Sequence, residues 1–316
     1  MKNILLFVIT VCFADLFSSC DIFTNSIAAS GYNSSGLKKN DSGDYKGAIV
    51  DYNKAIELRP NYAEAFNNRG LAEYNMGQYQ DAFEDYTKAI ELKPSLGVSY
   101  GNRGLVDDEL NKYTQALEDF STAIKLNPSD GIPYNNRALT EYHLGQYYKA
   151  LDDDTKALEL KPDWSVAYNN RGLVKYKLKT YGEAIRDFDM AIKYNPDFSS
   201  AYNNRGLSEY DIDDTAKALA DYNKAISLNP NSSTAFCNRG LWEYDHMQYK
   251  IALEDYDKAI SLDDNMATAY ENRALCEQVM GDKKQSENDF AKWRQLTGVR
   301  DSAISGANAA DSTSKP

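Results

Sequence analysis

The chain has 316 residues, of which 42% are hydrophobic and 26% charged, so it has enough apolar surface to build a folded core. Its 47 acidic side chains exceed its 35 basic ones, and the formal charge of −12 disfavours sequence-independent binding to nucleic-acid phosphates. Two histidines and four cysteines offer few ligands for a metal. The motifs G-x-x-x-x-G-K-[ST], H-E-x-x-H and G-x-S-x-G are all absent, so the sequence predicts no enzyme, cofactor or metal site.

The first 20 residues have the pattern of an export signal. Lys2 precedes an apolar run over 4–13, which is too short to cross a bilayer. Segment 1–20 ends in Leu-Phe-Ser-Ser-Cys and resembles a bacterial lipobox, in which Cys20 is lipidated and becomes the first mature residue. This resemblance implies a membrane-anchored lipoprotein of a bacterial cell envelope. The alternative is a secretory signal cleaved near Ala28, which would leave a secreted or periplasmic soluble protein.

A period of 34 residues organises the rest of the chain. The tripeptide Asn-Arg-Gly or Asn-Arg-Ala begins at Asn68, Asn102, Asn136, Asn170, Asn204, Asn238 and Asn272. We therefore divide the chain into repeats 1 to 8, which span 29–62, 63–96, 97–130, 131–164, 165–198, 199–232, 233–266 and 267–300. Segment 21–28 is predicted to be a tether, and the small, polar segment 301–316 a disordered tail.

Each repeat predicts two helices joined by a turn, as repeat 2 illustrates. Its first half has apolar residues at helical spacing, and Gly77 ends that helix because glycine readily adopts the left-handed conformation. A second amphipathic run begins at Tyr79 and ends before Pro94.

The repeated positions resemble the signature of the tetratricopeptide repeat family. An aromatic residue stands at the fourth position, and Ala recurs at the twentieth and twenty-seventh. The eighth position is small, as in Gly36, Gly70, Gly104, Ala138, Gly172, Gly206, Gly240 and Ala274. The resemblance implies an all-α, right-handed α-solenoid of about eight 34-residue repeats. One departure is Asp154 in repeat 4, which stands where the second helix normally buries an aromatic residue.

A pattern of arginine and aspartate marks every repeat. The seventh position is Arg in seven repeats and the twenty-third is Asp in all eight. Because burying either charge alone is costly, we predict a structural ladder of ion pairs, while ligand binding by the arginines is the alternative. We expect pairs between repeats, such as Asp85 with Arg103 and Asp119 with Arg137, although pairing within a repeat is not excluded. The predicted ladder comprises Asp85, Arg103, Asp119, Arg137, Asp153, Arg171, Asp187 and Arg205.

The resemblance also implies a concave groove lined by the first helices. Positions five, nine and twelve share one helical face, and position six lies beside it. Gly101 and Cys237 interrupt a row of Asn at position five, and Asp108 interrupts a row of Tyr at position twelve. Asn amides match a peptide backbone, and Tyr adds contact area; alternatively, these Asn tie helix ends and these Tyr pack inside repeats. The predicted groove residues are Asn68, Asn102, Asn136, Asn170, Asn204, Asn238, Asn135, Asn169, Asn203, Tyr142, Tyr176 and Tyr210.

These features predict a non-enzymatic scaffold or adaptor of the cell envelope that binds a polypeptide segment in its groove. The acidic charge favours a neutral or basic partner segment. One alternative is a glycan- or cell-wall-binding lipoprotein that stacks sugars on groove tyrosines, and a remote one is an accessory subunit of an enzyme complex. Cys237 and Cys276 stand at positions five and ten of neighbouring repeats, so we do not expect a disulfide between them.

Overall fold

The structure, a computed structural model, describes residues 24–298. Over this range the chain forms sixteen α-helices in consecutive pairs and no strand, which confirms the predicted all-α fold class. The predicted signal 1–20 with Cys20 and the predicted tail 301–316 lie outside the described residues. Residues 24–28 of the predicted tether are helical and continue into the first helix.

The described residues fall into two compact units, divided between Lys161 and Pro162. Unit 1 contains α1 (24–41), α2 (Tyr45–Leu58), α3 (Ala63–Asn75), α4 (Tyr79–Leu92), α5 (Gly97–Glu109), α6 (Tyr113–Leu126), α7 (Ile132–His143) and α8 (Tyr147–Leu160). Unit 2 contains α9 (Ser165–Lys177), α10 (Tyr181–Tyr194), α11 (Ser199–Tyr210), α12 (Thr215–Leu228), α13 (Ser233–Asp245), α14 (Tyr249–Leu262), α15 (Ala267–Met280) and α16 (Lys283–Thr297). No helix in this part of the chain is long and apolar enough to cross a membrane.

The turn between the two helices of a repeat passes through a left-handed residue. Gly77 has a φ of 74°, as expected from its sequence. Asp213 has a φ of 62° at the equivalent position of repeat 6, so a residue with a Cβ makes the same turn there.

The core of a repeat is a close contact between a small residue on the first helix and an aromatic residue on the second. A Cβ added to Gly70 would lie 2.9 Å from Cε1 of Tyr86, so only glycine allows this approach. Repeat 4 lacks the aromatic ring, and its small residue is Ala138. Asp154 is fully buried in the place of the ring and accepts a hydrogen bond from Nδ2 of Asn135 at 2.8 Å.

Helix contacts determine the curvature of each unit. In unit 1, α3 contacts α5 and α5 contacts α7, and in unit 2 the first helices α9, α11, α13 and α15 contact each other in the same order. The second helices α4 and α6 of unit 1, and α10, α12 and α14 of unit 2, make no such contacts with one another. Each unit therefore curves with its first helices on the inner face.

Candidate functional site

The arginine of position seven forms a bidentate ion pair with the aspartate of position twenty-three in the same repeat. Its Nε and Nη2 donate to the two carboxylate oxygens at 2.5–2.8 Å. The pairs are Arg69 with Asp85, Arg103 with Asp119, Arg137 with Asp153, Arg171 with Asp187, Arg205 with Asp221, Arg239 with Asp255, and Arg273 with Asp289.

The predicted pairing between repeats, Asp85 with Arg103 and Asp119 with Arg137, is therefore wrong. Positions seven and twenty-three each precede one member of the close small–aromatic contact, so this contact brings them opposite each other across one helix pair. The prediction placed position twenty-three at the next repeat, whereas the carboxylate of Asp119 binds Arg103 of its own repeat.

The arginine also reaches the preceding repeat through its third nitrogen. Nη1 of Arg137 donates to Oγ of Ser121 at 2.9 Å, and Nη1 of Arg239 donates to Oδ1 of Asn223 at 2.7 Å. The guanidinium also lies over the aromatic ring of position four, with 5.9 Å between Cζ of Arg137 and the ring centre of Tyr134. One side chain therefore joins the two helices of its repeat and the repeat before it.

A second carboxyl group lies beside most of these pairs, at position eleven. Glu73 is buried 3.8 Å from Nε of Arg69, and burial and then the charge of Asp85 raise its pKa to about 8. The same causes, burial first, raise the pKa to about 7 in Glu141, Glu209, Glu243 and Glu277. Repeats 1 and 5 have Lys39 and Lys175 at this position, each 2.7 Å from the aspartate of its repeat. Both carboxylate oxygens of each paired aspartate are engaged by its arginine, which suits the structural interpretation of the Arg–Asp pairs better than ligand binding. Within the described residues, one oxygen of each position-eleven carboxyl group is buried without a hydrogen-bond partner, as in Glu73 and Glu243.

Asparagines join successive first helices along the inner face. Nδ2 at position six donates to Oδ1 at position five of the preceding repeat. These bonds are Asn68 to Asn33 at 3.1 Å, Asn102 to Asn67 at 3.2 Å, Asn204 to Asn169 at 3.0 Å, and Asn238 to Asn203 at 3.0 Å.

Burial divides the predicted groove residues into two sets. Asn135, Asn169 and Asn203 are only 3%, 6% and 7% exposed, so they bond between helices instead of facing the groove as predicted. The half-buried set consists of Asn68, Asn102, Asn136, Asn170, Asn204, Asn238, Tyr142, Tyr176 and Tyr210.

The tyrosines of position twelve also pack within their repeats. The ring centre of Tyr142 lies 5.7 Å from that of Tyr147, and the ring centre of Tyr176 lies 5.4 Å from that of Tyr181. The hydroxyl of Tyr210 donates to Asp245 of the next repeat. These rings are therefore half-buried, and part of each contacts its own or the next repeat.

Sequence reasoning missed a pocket of about 380 Å³ in unit 1, between the first turns of α5 and α7 and the end of α6. Its lining includes Gly97, Gly101, Leu126, Ile132 and Asn136. The available signal was the glycine that interrupts the row of Asn at position five.

The described residues contain two cysteines, one in repeat 7 and one in repeat 8. Cys237 and Cys276 are free, buried thiols, and burial raises the pKa of each to about 11. Across 24–298, no group of His, Cys, Asp and Glu side chains is arranged to hold a metal ion.

Successive helix pairs that repeat the same contacts between equivalent residues define an α-solenoid repeat protein. The chain belongs to the tetratricopeptide repeat family. Models described as TPR repeat or Tetratricopeptide repeat match 36–77, 63–96, 102–163, 165–198 and 199–232. This fold is typical of protein–protein interaction scaffolds. No curated protein matches the sequence.

Several solved structures share the fold. A tetratricopeptide repeat protein from Parabacteroides merdae ATCC 43184 is 23% identical with a TM-score of 0.63, and the match covers 79% of this chain and 98% of that one. A chain of the APC/C hetero-tetramer Cut9–Hcn1 is 15% identical with a TM-score of 0.69, over 83% of this chain and 51% of that one. PilF of Pseudomonas aeruginosa is 20% identical with a TM-score of 0.60, over 67% of this chain and 96% of that one. At these identities the likeness establishes the fold alone.

Proposed function

We propose that the protein is a non-enzymatic adaptor of a bacterial cell envelope, anchored by lipid on Cys20, that captures a polypeptide segment on the inner face of its repeats. The observation that carries this proposal is the repetition of a half-buried Asn amide at position six on successive first helices. Such a row offers equivalent polar groups at regular intervals, as an extended peptide backbone requires.

The Asn amides keep hydrogen-bonding capacity for a ligand. In Asn102 the bond to Asn67 engages one of the two N–H groups of the amide. Leu105 and Leu139, at position nine, are half-buried beside this row and supply apolar area. The inner face thus combines amides for a backbone with apolar surface for side chains.

Affinity capture from solubilised envelope extract tests groove binding. Asn136→Ala removes an amide that bonds to no other described side chain, so it should preserve the fold and reduce recovery of the partner severalfold. Tyr148→Ala, which changes a 75% exposed ring on the second helix of the same repeat, is the matched control and should leave recovery unchanged. Equal recovery by wild type and Asn136→Ala would show that the partner does not bind at this Asn amide. Binding to protein-free cell wall in place of a protein would support the glycan alternative.

Metabolic labelling with radioactive palmitate tests the anchor. Wild type should be labelled and remain with membranes, whereas Cys20→Ala should lose both the label and the membrane association. Equal labelling of the two proteins would reject the lipoprotein proposal, and its absence from both would favour a secreted or periplasmic soluble protein.

A further inference from the structure

Helix α5 departs from the repeat pattern at two positions on the same face. Gly101 occupies position five, where Asn67 and Asn135 stand in the neighbouring repeats, and Asp108 occupies position twelve, where Tyr74 and Tyr142 stand. The two positions are seven residues apart, which places them about 10 Å from each other along one side of the helix.

Gly101 opens the pocket beside it. A Cβ at this position would meet only the Cβ of Ala123, at 3.9 Å, which is ordinary van der Waals contact, so a close approach does not require the glycine here. In the absence of a side chain at this position, the pocket of about 380 Å³ has walls from Leu126 and Ile132, which are 41% and 55% exposed. This volume is near the lower end for ligand sites and suits one large apolar side chain better than a cofactor.

The missing side chain also changes the polar rim of the pocket. Asn136 lines the pocket, and its amide makes no hydrogen bond to the described residues because Gly101 offers no side-chain acceptor. Asn102 lines the same pocket and donates to Asn67. A peptide backbone crossing the rim would give the Asn136 amide the partner that the fold does not provide.

Asp108 adds a negative charge at the other end of this face. Its Oδ1 accepts a hydrogen bond from Oγ1 of Thr140 at 2.6 Å, and its Oδ2 lies 3.8 Å from Nδ1 of His143. The adjacent Glu109 is exposed and accepts a hydrogen bond from the hydroxyl of Tyr74 at 3.2 Å. This end of α5 therefore favours a cationic group.

We propose that α5 makes unit 1 specific for a polypeptide segment that carries one large apolar side chain and one basic side chain. The segment inserts one large apolar side chain into the pocket at Gly101 and pairs a Lys or Arg with Asp108. A chain in the polyproline II conformation advances about 3.1 Å per residue and presents every third side chain on the same side, so these two side chains lie about three residues apart. This inference rests on the proposed binding of a peptide by the groove, and it names what the groove selects.

Selection of a random-peptide phage library on the immobilised full chain tests both statements. Wild type should enrich peptides with a large apolar residue and a basic residue about three positions away. Gly101→Asn restores the residue of the neighbouring repeats and should abolish the apolar preference, and Asp108→Tyr should abolish the basic preference. The melting temperature of each variant should fall by no more than a few degrees, because each introduces a residue that equivalent repeats accommodate.

Fluorescence anisotropy with an enriched peptide gives the size of the effect. Gly101→Asn should weaken binding at least about tenfold, as should replacement of the apolar peptide residue by Ala in wild type. Enriched peptides that lack the apolar–basic pattern, but whose binding Asn136→Ala weakens, would overturn this inference and leave the groove proposal in place. No enrichment on a folded protein would overturn both.

Discussion

Repeats 5 and 7 build the same arginine–aspartate pair but surround it with opposite charges. In repeat 7, Glu243 lies 3.9 Å from Nε of Arg239, and burial and then the charge of Asp255 raise the pKa of Glu243 to about 7. In repeat 5, Nζ of Lys175 lies 2.7 Å from the aspartate of the same repeat.

The difference shows that the Arg–Asp pair and the residue at position eleven have separate roles. The Arg–Asp pair has the same geometry in both repeats and holds the two helices together. Position eleven accepts either a cation or a carboxyl group, and a carboxyl group with a raised pKa is protonated over much of the neutral range. We therefore expect position eleven to determine how each repeat responds to pH and to loss of its arginine.

The largest effect should come from removing the arginine in each repeat. Arg239→Ala leaves two buried carboxyl groups without their cation and should cost about 3 kcal/mol of unfolding free energy. Arg171→Ala should cost about half as much, because Lys175 still pairs with Asp187. Urea unfolding followed by circular dichroism measures both, and equal losses would remove the distinction between the repeats.

Exchanging the side chain at position eleven should convert one repeat into the other. Lys175→Glu replaces an attraction to Asp187 with a repulsion and should cost about 2 kcal/mol at pH 8. The cost should be smaller at pH 5, where the new carboxyl group is protonated. Lys175→Met keeps the apolar stem without the charge and serves as the control, since it should show the same cost at both pH values.

The pH dependence of the wild type should follow from the buried glutamates. A pKa of Glu243 raised from its usual 4.5 to about 7 means that the folded state holds the proton more tightly than the unfolded state. This contribution is complete below pH 4.5 and is lost as the pH rises through 7, so stability should fall between pH 5 and pH 8. Glu243→Gln should remove about 2 kcal/mol of that fall, measured by thermal melts at both ends of the range. A fall that Glu243→Gln leaves unchanged would assign the pH dependence to other groups.

The smallest effect should come from the contact with the preceding repeat. Asn223→Ala removes the exposed acceptor of Nη1 of Arg239 and should cost about 0.5 kcal/mol, since the bidentate pair with Asp255 remains. Equilibrium unfolding measures this value, with Asn223→Asp as the control, because that variant keeps an acceptor for Nη1 of Arg239 and should lose little stability. A loss as large as that of Arg239→Ala would show that the contact between repeats dominates.

The sequence was sufficient for the fold because the same few positions recur with every repeat. Gly77 marked a turn, and the small residues at position eight marked helix contacts that the structure contains. The partner of Asp119 was not predictable in this way, because repeat spacing alone does not say whether position twenty-three faces its own repeat or the next. That choice depends on the rotation of two helices about their contact, which spacing does not encode.

The groove was harder to predict for a related reason. Asn135 and Asn136 are adjacent in sequence, yet one is buried against Asp154 and the other is half-buried beside a pocket. A helix turns by about 100° per residue, so neighbouring positions separate into core and surface only when the packing partners are known. The pocket itself depends on a side chain that Gly101 lacks, and its walls come from three helices.

The backward reach of each arginine has a consequence for how such a chain can change length. Arg137 bonds Ser121, sixteen residues before it, and Arg103 bonds Thr87 at the same separation. If a recombination event removed 97–130, Arg137 would follow Thr87 by that same separation and would meet the acceptor that Arg103 meets now. Loss or duplication of whole repeats would thus recreate a working junction at the point of crossover, so a gene of this kind can vary its repeat number without first acquiring compensating mutations.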